Sequence, residues 1–382
     1  MMDALALPRL DGPDGCAESD ARWMAVALAL ARRGLGRTAP NPSVGAVLVS
    51  PAGYVVGRGW TQPGGRPHAE TMALAQAGEA AAGATLYVTL EPCSHHGRTP
   101  PCVDALVAAG VARVVAALRD PDPRVDGRGV DRLRAAGVAV AIGGCGRVAL
   151  RIAAGHVRRV TLGRPHVTLK LAVSADDKVA LAGRRPVAIT GEASRGRVHM
   201  MRAEADAILI GIGTALADDP ALTCRLPGMA DRSPCRVVLD SNLRLPLTSR
   251  LVATCHEVPT WVVAAVDAPV EAELALRAAG CDVMRVERGP DGRLSLPRAL
   301  KLLALRGVTR LMVEGGPTIA AGLLDADLVD EAVVARGPAT LGSDAIGALE
   351  GRPLGALTEA ARFAEIGRES VGEDCWTFFE RA

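Results

Sequence analysis

Three features of the 382-residue chain predict two successive α/β domains: its length, an alternation of short apolar strands with helical segments over the first 160 residues, and a second alternation that restarts at HVTLKLAVS, residues 166–174. A chain this long exceeds one typical core. Strands that alternate with helices imply a sheet covered by helical layers. The expected divisions are a loose leader over 1–19, which contains DGPDG, a first domain over 20–163 and a second over 164–382.

The elements follow in order. Ser19 or Asp20 can cap a helix running through ARWMAVALALARR, and the turn-rich GRTAPNPSVG leads into the apolar strand AVLVS. GYVVGRGW forms the second strand of a hairpin turned at PAG. PHAETMALAQAG reads as a helix, with Pro67 in its first turn and Gly78 at its end. TLYVTL alternates as a strand does, PPCVDALVAAG is helical, VARVVAAL is a buried strand, and RLRAAG and VAVAIGG add a helix and a strand. The second half continues through the strands AILIGI, RVVLDS, TWVVAA, CDVMRV, RLMVEGG and EAVVARG, with helices between. It lacks GxGxxG after its first strand, so the ordinary Rossmann fingerprint is absent.

Composition narrows the function. Formal net charge is +2 and aromatic residues are 2% of the chain. Neither a bulk electrostatic attraction for polyanions nor a stacking surface for nucleic acid is expected. The longest early apolar run, WMAVALALA at 23–31, is too short to span a membrane, and no basic region precedes MMDALALP as a signal peptide requires. Nine scattered cysteines, an odd number, do not form a disulfide framework. A cytoplasmic homo-oligomer acting on a small molecule, without nucleic-acid or membrane partners, is the expected setting.

Two stretches carry chemistry: PHAE at 67–70 and EPCSHHGRTPPC at 91–102. Histidine, one spacer, glutamate, then a Pro-Cys and a second cysteine is the arrangement of zinc-dependent deaminases. His68 offers an imidazole nitrogen, and Cys93 and Cys102 offer thiolates, which leaves one tetrahedral position for water. Zinc lowers the pKa of such a water from roughly 15.7 to about 7. Glu70 is placed to shuttle its proton to a departing amine. Cys102 follows Pro101 at an expected helix start, where backbone N–H groups favour thiolate. His95 and His96 leave three alternatives: substrate-side loop residues, solvent-exposed loop histidines, or a fourth ligand that would close the site and make the metal structural. A deaminase acting on a nucleic-acid base, with the second half as a binding domain, is a further alternative.

HAE with EPCSHHGRTPPC and TAPNPSVGAV, followed by KLAVSAD, MRAEADAILIGIGTALADDPALTCR, VVLDS and VEGGPTIAAGLL, resembles the bifunctional riboflavin-biosynthesis deaminase–reductase family over nearly the whole chain. The resemblance implies a cytidine-deaminase-like three-layer domain followed by a dihydrofolate-reductase-like domain. It implies zinc-dependent hydrolysis of the 2-amino group of 2,5-diamino-6-ribosylamino-4(3H)-pyrimidinone 5′-phosphate, then NADPH-dependent reduction of ribosyl to ribityl. Carried over by position, Asn41 contacts the pyrimidine. Ala172, Thr214, Asp218, Ser241 and the run Gly316, Pro317, Thr318, Ile319, Ala320, Ala321 and Gly322 contact the cofactor. Arg202, Leu222, Arg225 and Glu314 contact substrate. Lys170, a charge on an apolar strand, is expected to face the site with Glu314. The chain departs from the family at Asp177, where glycine is usual, and at Pro186 and Ala188, where serine and a cofactor-stacking tryptophan are usual.

Overall fold

The computed structural model describes residues 18–97, 99–143, 145–359 and 361–382. The chain divides between Gly163 and Arg164 into two compact units. The leader expected over 1–19 lies outside the described residues as far as residue 17, and Glu18 and Ser19 already belong to the first helix.

The first unit runs α1 (Glu18–Arg32), β1 (Gly45–Val49), β2 (Val55–Trp60), α2 (Ala69–Ala77), β3 (Thr85–Val88), α3 (Cys102–Ala108), β4 (Arg113–Ala116), α4 (Arg128–Ala135), β5 (Ala139–Ile142) and α5 (Gly146–Leu162). Its sheet has the order β2-β1-β3-β4-β5, with β1 antiparallel to both neighbours and β3, β4 and β5 parallel. α1 buries Met24, Ala27, Leu28 and Ala31, the spacing of a helical stripe. Asp20 does not cap this helix. Its carboxylate accepts from the Tyr87 hydroxyl at 2.8 Å and from Arg113 through two bonds, an inward use of a charge that tethers α1 to the sheet. α5 is the helix that sequence reading left unassigned. Its buried positions Ala149, Ile152, Ala153, His156 and Val157 repeat as a helix requires, but four arginines interrupt the apolar pattern.

α2 starts later than expected. Pro67 precedes the helix and its carbonyl accepts from Gln62 N, while His68 is the N-cap. The strand β2 supplies the room for this helix. A Cβ on Gly59 would stand 2.3 Å from Ala69 O, so the helix start sits directly on the strand backbone. Sequence and packing together thus place His68 and Glu70 over the sheet.

The second unit runs β6 (His166–Val173), β7 (Lys178–Ala180), α6 (Glu192–Ala203), β8 (Ala207–Gly211), α7 (Ile212–Asp218), β9 (Cys235–Leu239), α8 (Arg250–Ala253) and β10 (Thr260–Ala265). It continues through α9 (Val270–Ala278), β11 (Asp282–Val286), α10 (Leu296–Leu305), β12 (Arg310–Val313), α11 (Pro317–Asp325), β13 (Glu331–Arg336), β14 (Ile346–Gly347), α12 (Gly355–Thr358), β15 (Phe363–Val371) and β16 (Asp374–Arg381). Nine strands form one sheet in the order β11-β10-β9-β8-β12-β6-β13-β16-β15, parallel from β11 to β13 and closed by the antiparallel β16 and β15. The central strands read as continuous apolar runs because both faces are covered. After β8 the chain winds outward to β11, then returns to insert β12 beside β8. That reversal opens a crevice at the carboxyl ends of β8 and β12, where ligands bind in open α/β sheets.

Candidate active sites

In the first unit, His68, Cys93 and Cys102 converge. Their ligand atoms all lie within 4.8 Å of one another, with His68 Nδ1 3.7 Å from Cys93 Sγ and 3.4 Å from Cys102 Sγ. A tetrahedral zinc with Zn–S of about 2.3 Å and Zn–N of about 2.0 Å places its donors about 3.6 Å apart. The three side chains therefore fit three corners of such a centre. His95 and His96 do not join them, so the four-ligand arrangement does not form among the described residues.

Three elements bring the donors together. His68 caps α2, Cys93 lies on the loop after β3, and Cys102 is the first residue of α3. The helix-start amide does not serve the sulfur of its own residue, as the sequence suggested. Cys102 N donates to Cys93 Sγ at 3.3 Å. Cys93 is held down to about 4 by the adjacent Cys102 thiol and by His68, whereas Cys102 is raised by the same pairing and by burial. Glu70, in the first turn of α2, is 4% exposed. Burial, followed by the Cys93 charge, pushes its carboxyl up to about 7.

Asn41 sits beside this segment. Its Nδ2 donates to Gly65 O at 3.0 Å, three residues before His68, and its main chain closes a turn with Thr38. The donor side of the amide is thus partly engaged, and Oδ1 is the acceptor it offers. The insert between the cysteines is tied down by Arg66, which donates to Thr99 Oγ1 at 2.5 Å, and by Arg132, which donates to Ser94 O at 2.7 Å. Glu91 opens the EPC motif, two residues before Cys93. Its buried carboxylate accepts from four main-chain amides between residues 120 and 130. A charge closing an apolar strand was the available signal, because such a group must find partners when buried.

In the second unit, a cavity of about 1370 Å³ opens at the carboxyl ends of β6, β8, β9 and β12. Lys170, Ala172, Thr214, Asp218, Ser241, Glu314, Gly316, Pro317, Thr318, Ile319, Ala321 and Gly322 all line it. Ala320 is fully buried in the core behind α11, and Leu222 is 3% exposed and packed beneath β8, so neither side chain faces the cavity. Arg225 is exposed, with Nη1 3.4 Å from Thr223 Oγ1. Arg202 lies behind the cavity wall and grips Glu314 through Nε at 2.7 Å and Nη2 at 2.9 Å, while Nη1 reaches Thr223 O at 3.1 Å.

The electrostatics follow from this packing. Burial lowers the Lys170 ammonium pKa, with Glu314 opposing the shift. Burial likewise disfavours the Glu314 carboxylate, but Arg202 and then Lys170 outweigh it and hold the group below the usual range. Asp218 is raised by burial.

A dinucleotide fits the crevice at α11. Gly316 caps that helix without a side-chain cap; Pro317 has no N–H and Ile319 N donates to Gly316 O at 3.1 Å, so Thr318 N is the first-turn amide that faces a phosphate. A Cβ on Gly316 would stand 3.1 Å from Thr214 Oγ1 and would narrow the space between the starts of α7 and α11. The Thr318 hydroxyl donates to Glu350 Oε2 at 2.7 Å, and both residues line the cavity. Asp177 adopts φ +61°, a left-handed conformation that explains why glycine is usual there and that aspartate tolerates better than most residues. Its carboxylate meets Arg336 at 2.5 Å. Pro186 and Ala188 line the cavity where larger or polar side chains are usual.

Comparison with known proteins matches both units. Residues 17–118 match the cytidine and deoxycytidylate deaminase zinc-binding region, and residues 165–374 match the RibD C-terminal domain. The riboflavin biosynthesis protein RibD of Escherichia coli is 43% identical over 366 residues, 93% of this chain and 97% of that protein. RibD of Aquifex aeolicus is 40% identical over 95% of this chain and 99% of its own length. A solved RibD from Acinetobacter baumannii superposes with a TM-score of 0.84 at 36% identity, covering 96% of this chain and 99% of that one. A Thermotoga maritima structure, described as a diaminohydroxyphosphoribosylaminopyrimidine deaminase/5-amino-6-(5-phosphoribosylamino)uracil reductase, gives 0.81 at 31% identity over 95% and 99% of the two chains. With both units matched and at least 93% of the chain covered by these relatives, the chain belongs to the RibD family of riboflavin-biosynthesis enzymes, which join a zinc-dependent deaminase to an NADPH-dependent reductase.

Proposed function

We propose that the first unit deaminates 2,5-diamino-6-ribosylamino-4(3H)-pyrimidinone 5′-phosphate and that the second reduces the ribosyl side chain of the product to ribityl. The convergence of His68, Cys93 and Cys102 beside buried Glu70 carries the first half of this reading. His68 Nδ1, Cys93 Sγ and Cys102 Sγ would hold zinc, which when bound would act as a Lewis acid on a water oxygen and lower that water's pKa. A Glu70 carboxylate oxygen takes a proton from the attacking water and delivers it to the amine, which leaves as ammonia. Asn41 Oδ1 accepts from the pyrimidine edge. The Asn41→Ala variant is expected to raise the substrate KM roughly fivefold, the worth of about 1 kcal/mol for one hydrogen bond. An unchanged KM in steady-state ammonia release removes Asn41 from the site.

In the second unit, NADPH when bound would be the hydride source, and a proton from solvent completes the two-hydrogen gain. Thr214, Asp218, Ser241 and the α11 start hold the cofactor, and Lys170 and Glu314 orient the ribosyl group. Ala320 belongs to the cofactor run only as part of the α11 backbone, Arg202 and Leu222 support the substrate side from behind the cavity wall, and exposed Arg225 is the residue free to reach the substrate phosphate. The same reading makes the enzyme a cytoplasmic homo-oligomer, which sedimentation of the purified protein tests. For the chemistry, the diaminopyrimidine phosphate is incubated with and without NADPH and the products are weighed. Replacing an amino group with oxygen adds about 1 Da without cofactor, and reduction adds about 2 Da more with it. A product that gains only 2 Da, or nothing, overturns the assignment.

A further inference from the structure

We infer that α4 is the positioning element of the metal centre, with Glu91 and Arg132 as the residues through which it fixes the main chain on both sides of Cys93. The inference rests on the assignment of His68, Cys93 and Cys102 as zinc ligands.

Glu91 ties the segment before Cys93 to the start of α4. Its Oε1 accepts from Gly129 N at 3.0 Å and Val130 N at 3.2 Å, and its Oε2 from Gly127 N at 3.1 Å and Asp120 N at 3.3 Å. The carboxylate is 3% exposed, and an ionised group is costly to bury without such partners. Most of these donors are amides of the opening turn of α4, which lack partners within the helix and favour negative charge. Charge-assisted bonds of this kind are about twice as strong as neutral ones. Pro92 then packs straight onto the helix. A Cβ on Gly129 would stand 2.3 Å from Pro92 O, so no side chain fits between α4 and the residue preceding Cys93.

One turn further along α4, Arg132 grips the other side. Its Nη1 donates to Ser94 O at 2.7 Å, and its Nη2 pairs with the Asp104 carboxylate on α3, two residues beyond Cys102. A single helix therefore holds residues 91, 92 and 94 and, through Asp104, the helix that carries the second thiolate. Cys93 is suspended between these grips. Its sulfur and carbonyl accept from Cys102 N and Val103 N, each at 3.3 Å, which passes the constraint to the cysteine pair. Glu91 and Arg132 act through the two sulfurs, as outer partners of metal ligands do.

The Arg132–Asp104 pair is 44% and 41% exposed, so its contribution to global stability is small. Arg132→Ala should therefore leave the fold intact and be felt at the metal. The test uses full-length, zinc-loaded parent, Arg132→Ala, Arg132→Lys and Glu91→Gln proteins. It follows zinc release to a chromophoric chelator and the visible bands of the cobalt-substituted forms, with NADPH-dependent reduction of deaminated substrate as the control for the second unit. Arg132→Ala is expected to release zinc about tenfold faster and Glu91→Gln about 10- to 100-fold faster, with displaced cobalt bands. Arg132→Lys, which keeps a donor for Ser94 O, should recover most of the loss. If Glu91→Gln does not fold, Arg132→Ala decides alone. Parental release rates and cobalt bands in Arg132→Ala overturn the inference. A parent that binds no zinc overturns the ligand assignment and the inference with it.

Discussion

Glu70→Gln is expected to lower ammonia release by about 10²- to 10⁴-fold, the usual worth of a positioned general acid–base group. Gln keeps the size and packing of this buried side chain but neither takes up nor gives back a proton. The three metal donors are separate side chains, so the variant should retain its zinc. The second unit has its own core and cavity, so reduction of already deaminated substrate should proceed at the parental rate. Loss of both activities in a folded, zinc-loaded variant would refute two independent sites. Near-parental ammonia release would remove Glu70 from the proton path.

The expected absence of an effect on reduction is as informative as the loss. A structural metal would tolerate Glu70→Gln in both assays, because only catalysis needs the proton. A nucleic-acid deaminase would lose activity on its base yet show no NADPH-dependent chemistry in the second unit. The full-length match to RibD proteins excludes that second alternative as a family assignment.

How much of this was legible before the fold was seen depends on where the partners lie in the chain. The metal site was legible because each donor is placed by a local device, a helix cap for His68 and a helix start for Cys102, that a Pro or a short spacing announces. Strands such as β3, β4 and β8 were legible because their burial on both faces demands apolar runs. Glu91 was not assigned a role because its partners are main-chain amides 29 to 39 residues away, which carry no side-chain signature. α5 was hidden by its arginines. The polar outer face of β15 hid the closing β15–β16 hairpin. Position-by-position transfer also has a geometric limit. A six-residue run along α11 winds through more than a full turn, so Ala320 faces the core while its neighbours Ile319 and Ala321 face the cavity.

The second large effect is expected from Arg202→Ala, which strips Glu314 of its two-bond partner. The pair is nearly enclosed, with side-chain exposures of 11% and 14%. Removing one member of such a pair costs about 3–5 kcal/mol, because the remaining charge stays buried. Lys170 is the cation left to Glu314, which puts the expected loss toward the lower end. The pH dependence has a definite sign. Glu314 is depressed in the folded parent, so its contribution is present above the ordinary carboxyl value of 4.5 and is lost as pH falls through the lower folded value. Without Arg202, burial meets less opposition, the folded pKa rises, and the stability difference between parent and variant narrows as acid protonates Glu314. Urea unfolding followed by the fluorescence of Trp261 and Trp376, at neutral pH and at successively lower pH, measures both effects. Reduction should fall as well, because Arg202 holds Glu314 in place at the cavity wall. A variant within 1 kcal/mol of the parent at neutral pH, on the scale of about 0–1 kcal/mol measured for exposed pairs, would show that Arg202 and Glu314 behave as a solvated surface pair.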